Sequence, residues 1–435
     1  MIQSLWRRLL TLVATVALLA SACASGGLGT ITSEGAIADT PEPTETPEPT
    51  ETPEPTATPE PTATPEPTPT PSVEELVTAE IDQFMETNGI PALSLGVNVG
   101  GEDALAIARG VSNIQSNTEA TVDDYYRIAS ITKTVTATVM LQLVQEGLVD
   151  LDATVSSYLG PWAPGYEYEG VVTVRQLLNH TSGFIEFAFD LGFYAQTLSR
   201  LEVPFEPQEI LDYTASKPPL SEPGTEYNYT TSGFVAAGLI IEAVTGNPAD
   251  EEIATRIFAP AGVTQVFLPP QALPPKEAIT GYNRGALGAA LEGLGLLAEE
   301  NLVDFNGETY ADLSAFPQEA LRSAGWTGGG IEAVPLDGAR MFRGLFVSSG
   351  LTEETIAEMI APTLDTSYGL GVSVDVIDGI TVYTHGGGVP GFRSYAAYLP
   401  EYDLSLLFST NLIPYDLDVD ELAAIIIPLL VADLS

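Results

Sequence analysis

Apolar residues recur along this chain at two spacings, and these spacings predict where helices and strands lie. At the start of the folded part, Leu76, Ile81, Phe84 and Met85 share one face of a predicted helix over residues 74–88. The next two apolar runs flank a Gly-Gly pair, which is typical of an antiparallel hairpin, and they cover residues 92–99 and 104–111. The folded part therefore begins with a helix and two strands.

The C-terminal end of the chain returns to strand-like patterns. Three apolar runs joined by short turns cover residues 380–383, 393–399 and 404–408, and a last helix is predicted over residues 419–431. Between the two ends, up to about residue 359, the pattern indicates helices and loops. These elements predict an α+β fold, in which an antiparallel sheet is built from both chain ends and flanked by helices, with a mostly helical second lobe.

One predicted helix begins with two side chains that could react together. Residues 126–150 indicate a short extended entry and then a helix of about five turns that stops near Gly147. Ser130 and Lys133 lie three residues apart at its front and so share one face, at the expected junction of the two lobes. A serine becomes a nucleophile when a base takes its proton, and lysine can be that base if its pKa falls from about 10.4 towards 7–8.

Two interpretations of this pair are open at this point. In the first, Ser130 caps the helix and Lys133 is a solvated residue of the first turn; in the second, they are a nucleophile and its base. The chain contains three lysines and a single S-x-x-K sequence. Because Lys133 is flanked by Ile131 and Val135, its ammonium group would need a partner in an apolar setting. These observations favour the second interpretation.

Three further segments contain candidate functional side chains. The sequence PGTEYNYTTSG places Tyr229 on a turn-rich loop, where it either faces a cleft or packs under the loop. The sequence THGGGVPGFR places His385 and three glycines at the end of a strand, where small residues allow a ligand to approach the backbone. His180, in LLNHTSG, lies between a helix and a turn, and we interpret it as a structural hydrogen-bonding residue.

Composition limits the partners and the kind of site. Of 435 residues, 45% are hydrophobic, which suffices for the core of one large domain over residues 73–435. The formal net charge is −44, from 59 acidic and 15 basic residues, and this argues against nucleic acid as a partner. One cysteine and two histidines argue against a cysteine- or histidine-based metal site. Carboxylates could still bind calcium, but we predict no metal and no cofactor; nothing in the sequence specifies an oligomeric state.

The N-terminal residues have the composition of a targeting segment followed by a spacer. Residues 1–23 combine a basic start, an apolar run and small residues before Cys23, and LLASAC resembles a lipoprotein cleavage box. We predict a signal peptide over residues 1–23 and a lipid on Cys23 that anchors the protein outside the cytoplasm; simple secretion and an uncleaved anchor are the alternatives. Residues 24–72 are rich in threonine, proline and glutamate and predict a disordered linker.

Four motifs, taken together, resemble one family. In chain order S-I-T-K, L-L-N-H-T-S-G, P-G-T-x-Y-x-Y-T-T-x-G-F and H-G-G-G-x-P-G-F look like those of serine hydrolases of the class C β-lactamase type. That family also contains D-alanyl-D-alanine carboxypeptidases, D-aminopeptidases and β-lactamase-like esterases. The resemblance covers roughly residues 75–435. It implies the penicillin-recognising, β-lactamase-like fold and hydrolysis through an acyl-enzyme.

The resemblance also implies a role for each motif residue. Ser130 would be the acylated nucleophile and Lys133 its base, and Tyr229 would pass a proton to the leaving group. His385 stands where many members have lysine and others have histidine. The backbone N–H groups of Ser130 and Gly388 would form the oxyanion hole, whose donors typically contribute factors of about 10²–10³ each in rate.

One position departs from the family pattern. Thr231 stands where the Y-x-N motif has asparagine, and with Gly386 and Gly387 it would contact the small-molecule or peptide substrate. Threonine is shorter and lacks the paired donor and acceptor of an amide, and His385 is mostly neutral at neutral pH. We therefore expect hydrolysis of an ester or a D-amino-acid peptide rather than of a β-lactam. The alternative is an inactive penicillin-binding-like module that binds cell-wall peptide or a partner protein.

Overall fold

The computed structural model describes residues 71–284, 298–314, 319–413 and 417–434. The predicted signal peptide, Cys23 and the linker up to residue 70 lie outside these residues and stay predictions. Among the helices of the described part, none combines the length and the apolar character needed to cross a membrane.

The described residues form one large antiparallel sheet, two small sheets and helices around them. The strands are β1 (Ala92–Val99), β2 (Glu102–Asn113), β3 (Thr118–Glu119), β4 (Tyr126–Arg127), β5 (Val266–Phe267), β6 (Tyr282–Arg284), β7 (Leu302–Phe305), β8 (Glu308–Asp312), β9 (Glu332–Ala333), β10 (Ser373–Ile377), β11 (Ile380–Val389), β12 (Phe392–Leu399) and β13 (Leu404–Thr410). The α-helices are α1 (Val73–Asn88), α2 (Thr132–Gln145), α3 (Ser156–Leu159), α4 (Val174–Leu178), α5 (Leu191–Leu198), α6 (Pro207–Ala215), α7 (Ser232–Thr245), α8 (Ala249–Ile253), α9 (Glu319–Gly325), α10 (Pro335–Val347), α11 (Glu353–Met359) and α12 (Val419–Leu434). Shorter helical turns cover Ala129–Ile131, Phe187–Phe189, Ala254–Phe258, Glu299–Asn301 and Trp326–Gly328.

The large sheet joins the two ends of the domain, as predicted. Its strand order is β10-β11-β12-β13-β1-β2-β3, so N-terminal β1 pairs with C-terminal β13, and Leu95 lies opposite Phe408. Alternate residues of β13 enter two different cores: Leu406 and Phe408 pack with helices α1 and α12, whereas Leu407 packs in the core that contains α10. Helices therefore cover both faces, and the predicted α+β architecture is confirmed.

Local sequence explains where the first helix begins and ends. The Oγ of Ser72 accepts a hydrogen bond from the Glu75 N–H at 3.2 Å, and the Glu75 carboxylate accepts one from the Ser72 N–H at 2.8 Å, which closes a capping box. At the other end Gly89 adopts φ +62°, a left-handed conformation that favours glycine. The helix predicted over residues 74–88 and the hairpin that follows are both confirmed. The predicted apolar face is wrong at one position, because Leu76 is 40% exposed and Val77 is buried with Ile81, Phe84 and Met85.

The second lobe is mostly helical, as predicted, and the structure has two small sheets that the sequence pattern did not predict. Strands β6, β8 and β7 form one three-stranded sheet, and β4, β9 and β5 form another. The strands missed by the prediction, β5 to β9, are two to five residues long. Alternation of apolar and polar residues needs about four positions, so it cannot be recognised in β5, β6 and β9, which have two or three residues each. Strands β7 and β8 are longer and form a hairpin around Asn306-Gly307, which the prediction from the sequence did not use.

Helix α2 runs through the core of the helical lobe. All of its side chains from Thr132 to Leu143 are buried, so it has no solvated face. The α-helix ends at Gln145 and the chain turns at Gly147, which has φ +74°, so the predicted stop near Gly147 is confirmed. The helix has 14 residues, which is about one turn fewer than the five turns predicted. At its front, the turn over Ala129–Ile131 packs against β11 and β12 of the large sheet. Residue 130 therefore lies at the junction between the sheet and the helical lobe.

Candidate active site

Ser130 lies in the tight turn that leads into helix α2. Ala129, directly before it, has φ +52°, a left-handed conformation that costs roughly 1–3 kcal/mol in a residue with a Cβ. Neighbouring hydrogen bonds hold this turn: the Thr132 hydroxyl donates to the Ala129 carbonyl at 2.6 Å, and the Ile128 N–H donates to the Ile331 carbonyl at 3.0 Å. The turn keeps Ser130 half-buried at the wall of a cavity.

Lys133 is completely buried, and its side-chain nitrogen has three hydrogen-bond partners. Nζ donates to the Oγ of Ser130 at 3.0 Å, to the Oγ1 of Thr231 at 3.2 Å and to the carbonyl of Gly328 at 2.7 Å. Burial lowers the pKa of Lys133 to about 7, although the nearby carboxylate of Glu186 acts in the opposite direction. Near neutral pH a substantial fraction of such a lysine is uncharged and can accept a proton from a serine hydroxyl.

Glu186 is a residue of this site that the sequence analysis did not identify. Its Oε2 accepts a hydrogen bond from the Thr231 N–H at 2.5 Å, and its Oε1 accepts one from the Ala188 N–H at 3.0 Å. Burial raises the pKa of Glu186, whereas Lys133 and the hydrogen bonds from Thr231 and Ala188 act against this rise. One sequence signal could have identified it, because it is the acidic residue within the otherwise apolar segment FIEFAF.

Tyr229 lines the same cavity. His180 forms hydrogen bonds with the residues before and after Tyr229. The His180 carbonyl accepts a hydrogen bond from the Asn228 N–H at 2.7 Å, and its Nδ1 accepts one from the Thr230 N–H at 3.1 Å. The ring centres of His180 and Tyr229 are 4.2 Å apart, and the Nζ of Lys133 lies 4.8 Å from the Tyr229 ring centre. Burial holds the pKa of His180 far below its usual range. These contacts agree with the structural interpretation of His180.

His385 lies behind the cavity and is not part of its lining. Its ring is 6% exposed; Nδ1 lies 2.6 Å from the Gly386 carbonyl and Nε2 lies 3.0 Å from the Tyr368 hydroxyl. Burial lowers the pKa of His385 to about 3, so the ring is neutral at neutral pH, with Nδ1–H as the donor to Gly386. The structure thus places His385 in a hydrogen-bonded pair with Tyr368, and its catalytic role stays a prediction.

The three glycines after His385 lie within strand β11 rather than after it. The strand continues through residues 386–388, with Gly387 opposite Ser394 and Gly388 opposite Arg393 on β12. A Cβ on Gly387 would lie 2.2 Å from the carbonyl oxygen of Ile128, so glycine is required for the strand to approach the Ser130 turn this closely. Gly388 lines the cavity together with Ser130.

A cavity of about 200 Å³ opens beside Ser130. This volume exceeds the roughly 150 Å³ of a cavity that binds benzene, so a group larger than a single ring can enter. One part of the wall is apolar and is formed by Phe187, Phe189, Phe193, Val389, Pro390 and Ile413. Another part is polar and is formed by Arg127, Glu186, Thr197, Asn283, Arg322 and Glu332. The cavity therefore has both a hydrophobic and a hydrogen-bonding surface within reach of the serine.

The structure brings together four of the residues predicted for the site: Ser130, Lys133, Tyr229 and Thr231. Two of them, Ser130 and Thr231, are 101 positions apart in the sequence. The sequence matches the family model described as Beta-lactamase over residues 77–427, and the chain belongs to this family of serine hydrolases. The family prediction, the fold class and the prediction of an enzyme are confirmed.

Individual relatives give the range of proteins to which the chain is similar. It is 27% identical over 343 residues to penicillin-binding protein 4 of Amycolatopsis lactamdurans, which covers 76% of this chain and 83% of that protein. It is 27% identical over 289 residues to a D-aminopeptidase of Cereibacter sphaeroides, which covers 65% of this chain but only 49%, about half, of that protein. Among solved structures, a D-stereospecific amidohydrolase from Streptomyces sp. matches with a TM-score of 0.65 and 27% identity, over 79% of this chain and 97% of that one.

Proposed function

We propose that this protein is an extracytoplasmic serine hydrolase that cleaves D-amino-acid peptides or amides through an acyl-enzyme on Ser130. The observation that carries the proposal is the contact between Ser130 Oγ and the Nζ of the buried Lys133, at 3.0 Å. With a pKa of about 7, Lys133 can exist in the uncharged form that a general base requires. The similarity to a D-aminopeptidase and to a D-stereospecific amidohydrolase supports an amide substrate.

The proposed reaction has two steps. In the first, Lys133 Nζ takes the proton of Ser130, and Oγ forms a bond to the carbonyl carbon of the substrate. The carbonyl oxygen becomes negative and would accept hydrogen bonds from the N–H groups of Ser130 and Gly388. Tyr229 would pass the proton to the leaving nitrogen as the C–N bond breaks. In the second step water attacks the ester of Ser130, which releases the acid and returns the proton to the serine.

The contacts of Thr231 support an active enzyme over an inactive binding module. The replacement of asparagine by threonine at this position was the reason to consider an inactive protein. Yet the Thr231 hydroxyl contacts the Nζ of Lys133 at 3.2 Å, and its N–H binds Glu186 at 2.5 Å. The position therefore still contacts the base, which is a function that asparagine would also have served.

Mass spectrometry of the intact protein tests the reaction. The protein is exposed in turn to a penicillin, a p-nitrophenyl ester and a D-alanyl peptide, with Ser130→Ala and the exposed Ser216→Ala as matched variants. We expect an acyl adduct or turnover in the wild type and in Ser216→Ala but not in Ser130→Ala, with the peptide and the ester turned over faster than the penicillin. Turnover by Ser130→Ala, or no adduct and no product from any probe, would overturn the proposal.

The location is tested separately. We propose that Cys23 carries a lipid and that the linker holds the enzyme away from the membrane, as the sequence LLASAC and the proline-rich segment suggest. Cells expressing the full chain are grown with a radiolabelled fatty acid. We expect the label on the wild-type protein and none on Cys23→Ser; equal labelling of both proteins would exclude this attachment site.

A further inference from the structure

Asn283 has an unusual environment for a buried polar side chain. It lies on strand β6, is 0% exposed and lines the cavity next to Ser130. Among the described residues, neither its Oδ1 nor its Nδ2 has a hydrogen-bond partner. Thr197 on helix α5 lines the same cavity, is 2% exposed, and has an Oγ1 that also lacks a partner in the described part of the chain. Two unpaired buried polar groups thus lie on the wall of one cavity.

Buried polar groups are rarely left unpaired, because their lost hydration is not compensated. The main chain fixes Asn283 at this wall: on one side of it, the Tyr282 N–H donates to the Asn411 carbonyl at 2.9 Å, and the Tyr282 carbonyl accepts from the Ile413 N–H at 3.3 Å. The carboxamide therefore cannot reach solvent by a small movement of the strand. Because no described residue pairs with it, a hydrogen-bonding group of a ligand in the cavity is a partner that the carboxamide can take.

The two arginines on the same wall are already paired with carboxylates. Glu332 is completely buried and accepts hydrogen bonds from the Nε of Arg127 at 3.3 Å and from the Nε of Arg322 at 2.8 Å. Arg322 also pairs with Glu277 at 2.9 Å. The hydrogen-bonding capacity left on Asn283 is therefore neutral and includes both donor and acceptor atoms. An uncharged peptide unit has the complementary set, one C=O and one N–H.

We propose that Asn283 forms a subsite for a second peptide unit of the substrate, distinct from the amide that is cleaved. Its Nδ2 donates to the carbonyl of that unit and its Oδ1 accepts from the N–H, while the Thr197 hydroxyl adds a further polar contact. This inference rests on the proposed hydrolase function and specifies its substrate class. The enzyme then prefers dipeptides or longer chains over single amino-acid amides and simple esters.

Binding to an inactive variant tests the subsite without requiring catalysis. In the Ser130→Ala background, affinities for D-alanine amide and D-alanyl-D-alanine amide are measured by calorimetry. The longer ligand has one more peptide unit, so we expect it to bind more tightly. Adding Asn283→Ala should weaken binding of the longer ligand about 10- to 100-fold relative to the shorter one, since a hydrogen-bonded pair is replaced by an unpaired ligand group. Equal affinities before the substitution, or an equal loss for both ligands, would overturn the proposal.

Kinetics and stability provide a second readout. In the enzyme with Ser130 intact, the ratio of kcat/KM for D-alanyl-D-alanine p-nitroanilide to that for D-alanine p-nitroanilide should fall about 10- to 100-fold in Asn283→Ala. Asn98→Ala is the matched control, because Asn98 is also buried with an unpaired Oδ1 but does not line the cavity; it should leave the ratio unchanged. If the wild type hydrolyses neither anilide, the proposed hydrolase function is wrong. The binding experiment still tests whether Asn283 binds the second peptide unit, because it does not require catalysis.

The melting temperature separates a binding role from a structural one. Asn283→Leu replaces an unpaired carboxamide by an apolar group of similar size, so it should raise Tm by about 1–4 °C while lowering the kcat/KM ratio. A lower Tm, with the two anilides affected equally, would mean that Asn283 supports the fold rather than the substrate.

Discussion

The hydroxyl oxygen of Thr231 lies 3.2 Å from the side-chain nitrogen of Lys133. This contact joins the loop before helix α7 to helix α2, and the N–H of Thr231 extends the connection to Glu186 at 2.5 Å. The residue at which this chain departs from the family pattern therefore links the base to a carboxylate that the motifs do not include. The departure changes how the lysine is held, and it leaves the lysine in contact with Ser130.

Removal of the hydroxyl of Thr231 should weaken catalysis more than the fold. Thr231→Val keeps the shape but leaves Nζ with one partner fewer, and hydrogen bonds to charged groups contribute about 1.5–3 kcal/mol. We expect kcat/KM to fall about 10- to 100-fold in Thr231→Val and to stay within a few-fold of wild type in Thr231→Ser. Steady-state kinetics of the purified variants measures both. A Val variant as active as the Ser variant would show that the hydroxyl is dispensable.

Replacement of Lys133 by methionine should abolish most of the activity and preserve the fold. Methionine fits an apolar position of similar size, whereas loss of a general base typically costs about 10²- to 10⁴-fold in rate. Lys217, which pairs with Asp190 at 3.2 Å near the surface, provides the matched control Lys217→Met. We expect kcat/KM to drop only in Lys133→Met, with circular dichroism unchanged in both. Retention of more than a tenth of the activity in Lys133→Met would contradict the role of the lysine.

The pH dependence of the rate should report the buried lysine. Below its pKa of about 7, Lys133 is protonated and cannot accept a proton, so kcat/KM should rise with pH, with its midpoint at the pKa of about 7, and level off roughly one pH unit higher. The carboxylate of Glu186 raises the pKa of Lys133, and Glu186→Gln removes this charge. The midpoint of the pH profile should therefore move to lower pH in Glu186→Gln. A midpoint that stays in place or moves upward would argue against coupling of the two groups.

The glycines of β11 should differ in their tolerance of a methyl group. A Cβ on Gly387 would lie 2.2 Å from the Ile128 carbonyl oxygen, whereas a Cβ on Gly386 would have no atom within 4 Å. We expect Gly387→Ala to destabilise the protein by about 1–3 kcal/mol or more, because the strand and the Ser130 turn must move apart. Gly386→Ala should leave the stability within about 1 kcal/mol of wild type. Denaturant unfolding of both variants measures the difference; equal stabilities would contradict the close approach.

Much of the fold followed from patterns that are local in the sequence. The helix over residues 74–88, the Gly-Gly hairpin and the apolar strands near the C-terminus each depend on a few neighbouring residues, and all appear in the structure. Strands β5, β6 and β9 escaped prediction because they have two or three residues each and pair with distant strands. Strands β7 and β8 were missed although they form a local hairpin around Asn306-Gly307, a pair typical of such turns. The stop of helix α2 near Gly147 was predicted correctly, and the helix is shorter than five turns because residues 129–131 form a tight turn before it.

The sequence by itself placed Ser130 and Lys133 on one face, because a spacing of three residues in a helical turn brings two side chains close to each other. It also determined the family, through motifs spread over the whole domain. Only the tertiary structure decided the protonation of the site. The pKa of Lys133 depends on burial by segments more than 90 residues away in the sequence. Glu186 belongs to the site because it contacts Thr231, and Asn283 is a candidate for substrate binding because it lines the cavity. Burial and electrostatic coupling arise from such long-range packing, which no local spacing encodes.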